Sequence, residues 1–204
     1  GYEALPRFEE GGSPERWFAD ADKIGLGADL ERAAIQVSLA HLGDLPRGAY
    51  RWVSLSPRAM GSSTIRDMLA EAPGDRTIVG LAPTGPDGEP GLVEAALDLQ
   101  GRGLRLAFDH VGGEPTALSD IYRLQPDVLR LDGRVARGID ADPAQRDVVS
   151  FLVRLGSEVG SVIVAEGIET RETLNVLRDL GVAYGQGYAL APPLSLDDLA
   201  HERP

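Results

Sequence analysis

The chain contains no cysteine. Disulfides, thiolate metal sites and a cysteine nucleophile are therefore excluded. Lysine and asparagine are nearly absent as well: Lys23 is the only lysine and Asn175 the only asparagine. Aromatic residues make up 5% of the chain, so a core must be built mainly from Leu, Val, Ile and Ala. No apolar run approaches the ~20 residues that span a bilayer, and no secretory signal is visible, so membrane insertion is not expected. Positive charge is in deficit, with 20 Lys and Arg against 32 Asp and Glu, a net charge of −12. That surface repels phosphate backbones and anionic lipid, so nucleic acid is not expected as a partner. A small anionic ligand could still be held by a local arginine pocket. These features fit a cytoplasmic protein. The chain begins at Gly1 rather than Met and reads as a piece of a longer protein.

At 204 residues and 43% hydrophobic content, the chain can bury the core of one domain, assigned here to residues 1–204. Apolar runs of strand length alternate with longer stretches of helical period. Strands are predicted at Tyr2–Phe8, Tyr50–Leu55, Thr77–Ala82, Leu104–Phe108, Val128–Asp132, Ser161–Ala165 and Tyr184–Ala189. The β-branched run Ser161–Ala165 suits a strand buried on both faces. Helices are predicted at Pro14–Ile24, Ala28–Leu42, from Ser56-Pro57 onward, Gly91–Gln100, Thr116–Arg123, Pro143–Val159 and Arg171–Leu180. Pro83–Pro90 is too rich in turn residues for any regular element. Seven or eight βα units in one domain favour a parallel barrel over an open sheet.

Chemistry in such a barrel gathers at the C-terminal ends of the strands. Carboxylates recur there at Glu3, Asp109, Asp132, Glu166 and Glu169, accompanied by Ser54, His110, Arg130 and Gln186. This suits a divalent-metal or polar-ligand mouth. Each carboxylate, taken alone, could equally cap a helix or pair with an arginine. Glu3 and Arg7 fall on the same face of one predicted strand and could pair with each other.

The ordered motifs are more specific than any one carboxylate. Glu3-Ala4-Leu5-Pro6-Arg7, Val53–Pro57, Phe108-Asp109-His110-Val111-Gly112, Leu129–Asp132, Ala165–Thr170 and Gln186-Gly187-Tyr188 with Pro192-Pro193 together resemble the EAL family across nearly the whole chain. The resemblance implies a modified TIM-like (β/α)8 barrel, α/β in class. The family's opening strand and helix have no counterpart, which implies clipping at the N-terminus. Active members cut cyclic di-GMP with two Mg²⁺ or Mn²⁺ ions. By resemblance, Glu3 is a metal ligand, Asp109 bridges both ions, Glu166 assists the catalytic water and Glu169 anchors a mobile loop. Gln186 lines the site, and Arg7 contacts the nucleotide.

The departures are concentrated at the same positions. Ser54 replaces the family's metal-binding asparagine, and Pro83 replaces a metal-binding glutamate. His110 replaces the second aspartate of the pair, and Arg130 replaces the catalytic lysine. Imidazole suits Zn²⁺ or Fe²⁺ better than Mg²⁺, and arginine is not interchangeable with lysine. The family's loop after the aspartate pair is replaced by Gly112–Ala117. A degenerate domain without turnover and without a resident metal is the resulting expectation. Two uses remain open. One is a cyclic di-GMP receptor drawing on Arg7, Asp109, Arg130, Glu166 and Gln186; the other is a protein-interaction or dimerisation module. The alternative is an enzyme, active or weakly active, with Mg²⁺ or Mn²⁺ in an atypical site. Its possible metal remnants are Glu3, Asp109 and His110, and these with Glu166 could also bind a transition metal.

Overall fold

The computed structural model describes residues 1–9, 11–82, 91–113 and 118–201. Seven strands form one parallel sheet in the order β1 to β7: Tyr2–Glu3, Arg51–Leu55, Thr77–Leu81, Arg105–Val111, Val128–Leu131, Val162–Ala165 and Tyr184–Gly185. The helices are α1 (Pro14–Lys23), α2 (Gly27–Ala40), α3 (Pro57–Gly61), α4 (Ser63–Ala70), α5 (Leu92–Gly101), α6 (Leu118–Leu124), α7 (Gly133–Ala136), α8 (Pro143–Val159), α9 (Arg171–Asp179) and α10 (Leu196–His201). The sheet curls into a clipped (β/α)8 barrel whose outer strands β1 and β7 are not paired through the backbone. Among the described residues, no helix is long and apolar enough to cross a membrane.

The central strands are apolar on both faces because helices cover one side and the barrel interior the other. The outward residues Val53, Leu55, Val79, Leu81, Leu106, Phe108, Leu129, Leu131, Ile163 and Ala165 join the large core beneath the helices. The inward residues Trp52, Ile78, Ala107 and Val128 make a separate small cluster, with Val164 against it. Register aligns Trp52 with Ile78, Gly80 with Ala107, and Ala107 with Val128. The interior therefore begins as an apolar plug and turns polar only past it, at Ser54, Asp109, Arg130 and Glu166.

Helix ends follow local chemistry. Ser56 caps α3 with Pro57 in its first turn, and Asp142 caps α8 with Pro143 in its first turn. Gly160, with φ 77°, takes the left-handed conformation that ends α8. The single helix expected after Ser56 is two short helices, because Ser62 is extended and caps a new start for Ser63–Ala70. The strand expected over Tyr2–Phe8 lasts only to Glu3. Its one neighbour pairs with Tyr2 and Glu3 alone, and Pro6 brings no N–H to the ladder. The strand expected to be buried on both faces is half-open, with Val162 40% exposed, because it lies beside the short outer strand β7. The expected strand at Tyr184–Ala189 shortens to Tyr184–Gly185. The turn segment at Pro83–Pro90 lies outside the described residues.

Candidate functional site

Arg130 leaves β5 pointing into the mouth, with its side chain only 4% exposed. A buried guanidinium needs partners for its charge and its N–H groups. Nη1 lies 2.9 Å from Glu3 Oε1, and Nε lies 3.1 Å from Asp109 Oδ1 and 3.5 Å from Glu166 Oε2. Nη2 donates to Asp109 Oδ2 at 3.1 Å and to Ser54 Oγ at 3.4 Å. The Nε–Oδ1 pair is close but misaligned for a hydrogen bond, so it acts through charge. Below, the guanidinium carbon sits 4.6 Å from the centre of the Trp52 ring, a cation–π contact in a site shielded from water. One internal cation thus faces three carboxylates and rests on an indole.

Neighbouring groups hold this arrangement in place. Ser54 Oγ donates to Asp109 Oδ2 at 2.9 Å and accepts from Trp52 Nε1 at 3.2 Å. Gln186 Nε2 donates to Glu3 Oε2 at 3.0 Å, joining residues 183 apart in sequence across the open seam of the barrel. Gly80 faces the interior between them. A Cβ there would collide with the Asp109 carboxylate and Trp52 Nε1, so only glycine leaves room for both.

A second cluster lies on the other side of the mouth. His110 follows Asp109 in a register irregularity of β4 and adopts a left-handed backbone, φ 54°, which turns its ring away from the β4 ladder. Its Nδ1 lies 3.1 Å from Glu166 Oε1 and 3.6 Å from Asp132 Oδ2. Asp132 is held by Arg134, whose backbone N–H and Nε donate to Oδ1 and whose Nη2 donates to Oδ2. The backbone extends the sheet through these positions: Asp132 N–H donates to the Val111 carbonyl and Glu166 N–H to the Leu131 carbonyl. Glu166 therefore touches both clusters, one oxygen toward Arg130 and the other toward His110.

Burial and charge shift the ionisable groups in different directions. Burial pushes Asp109 up to about 6, although Arg130 and the Ser54 hydroxyl draw it down. Burial acts against the charge of Arg130, but Asp109, Glu3 and Glu166 more than offset it and hold the guanidinium charged. Glu166 is likewise penalised by burial, yet the His110 hydrogen bond and Arg130 bring it below the ordinary carboxylate range. His110 is raised, first by its hydrogen bond to Glu166. Asp132 is lowered by its hydrogen bond to Arg134.

Glu3, Ser54, Asp109, His110, Arg130, Glu166 and Gln186 are thus brought together at one mouth. Arg7 and Glu169 are not. Arg7 is exposed, with Nη1 on the Pro6 carbonyl, and Glu169 lies 3.5 Å from Arg137 on the surface. Glu3 pairs with Arg130 rather than with Arg7. Pro83 falls outside the described residues, as does most of the Gly112–Ala117 loop. Three participants were not singled out from sequence: Trp52, Arg134 and the pairing of Asp132 with His110. Trp52 could have been found, since it stands two residues before Ser54 and so shares its inward face.

The family model described as the EAL domain matches residues 1–193. PdeG of Escherichia coli K12, named a probable cyclic di-GMP phosphodiesterase, is 28% identical over 214 residues, which cover 98% of this chain and 42% of that protein. The manganese and cyclic di-GMP complex of Klebsiella pneumoniae BlrP1 matches with a TM-score of 0.81 at 26% identity, over 92% of this chain and 50% of that one. An EAL domain protein of Listeria monocytogenes EGD-e gives a TM-score of 0.83 at 19% identity, over 99% of this chain and 85% of that one, a likeness of fold alone. The chain spans less than half the length of its curated relative PdeG.

Proposed function

We propose that this chain, which belongs to the EAL domain family, is a signalling domain without phosphodiesterase turnover that acts as a protein-interaction or regulatory module. One observation carries the proposal: the Arg130 guanidinium stands between Glu3, Asp109 and Glu166, groups that by family resemblance would hold or serve the ions. A divalent ion about 4 Å from that guanidinium would meet roughly 8 kcal/mol of repulsion at an effective dielectric near 20. Ser54 offers a hydroxyl already engaged with Asp109. The donor set does not fit a pair of Mg²⁺ or Mn²⁺ ions, so no hydrolytic step runs through one.

A second reading, a metal-free receptor for cyclic di-GMP, is favoured by the exposed Arg7 and by the presence of that dinucleotide in the BlrP1 complex. Against it stands the charge of the mouth, where Glu3, Asp109, Asp132 and Glu166 oppose a doubly anionic ligand. Calorimetric titration of cyclic di-GMP into the domain, with Mg²⁺ and again with EDTA, separates the two. Absence of heat in both buffers supports the interaction module. Micromolar binding that survives EDTA and is lost in Arg7→Ala makes the domain a receptor.

A further inference from the structure

We draw no further inference here: the strongest candidate, the exposed apolar surface patch of Leu118 and Tyr122 on α6 with Val148 and Phe151 on the neighbouring α8, carries nothing because nothing in the structure shows what covers it.

Discussion

Two sides of one barrel mouth handle negative charge differently. On the first, Glu3, Ser54 and Asp109 converge on Arg130, a cation fixed to the chain, nearly sealed from water and seated on Trp52. On the second, Asp132 and Glu166 face His110, a group that is half-exposed and carries charge only when protonated. The first side carries its cation on the chain itself, held charged by the carboxylates around it. The second relies on a ring whose charge comes and goes with a proton. A guanidinium tethered to the chain can hold a carboxylate-lined mouth together without an ion.

Breaking the first side should have the largest consequence. Arg130→Met leaves buried carboxylates without a cation and should cost about 3–5 kcal/mol in urea unfolding, with part of the loss restored by Mn²⁺. A cost below about 1 kcal/mol would show that the guanidinium does not hold the mouth together. The next effect is pH dependence. Because Asp109 titrates near 6 when folded, above its ordinary 3.8, its favourable contribution is complete below pH ~4 and lost as pH rises through 6. The stability of the parent relative to Asp109→Asn should therefore fall by at most about 3 kcal/mol across that window. A difference independent of pH would contradict the burial of this carboxyl. Gly80→Ala pushes a methyl into Asp109 and Trp52 and should cost about 1–3 kcal/mol, whereas Gly101→Ala, facing open space, should cost little. Trp52→Phe should cost less, about 1 kcal/mol, since an aromatic face remains under Arg130. On the second side, His110→Ala should move stability by less than any of these, which would sharpen the contrast.

Much of this was readable in the sequence, because local rules govern the scaffold. The Pro143–Val159 helix agrees residue for residue with its pattern, fixed by Asp142 and Pro143 at one end and Gly160 at the other. The strand-end positions of Ser54, Asp109, Arg130 and Glu166 also follow from period and motif. What could not be read is which charge meets which. Ser54 and Asp109 are 55 residues apart, and Arg130 and Ser54 are 76 apart; their meeting depends on barrel curvature and side-chain reach. Arg130 read as a larger lysine available for a phosphate, yet its length brings it back onto Asp109 and across to Glu3. The left-handed backbone at His110, which aims that ring at Asp132 and Glu166, has no signature in residue type.

The most direct measurement is hydrolysis of cyclic di-GMP by the purified chain with Mg²⁺ and with Mn²⁺, alongside Glu3→Ala. An Arg130-filled mouth predicts no turnover above background for either protein with either ion. Turnover that disappears in Glu3→Ala would contradict it, because Glu3 would then be serving a metal rather than Arg130.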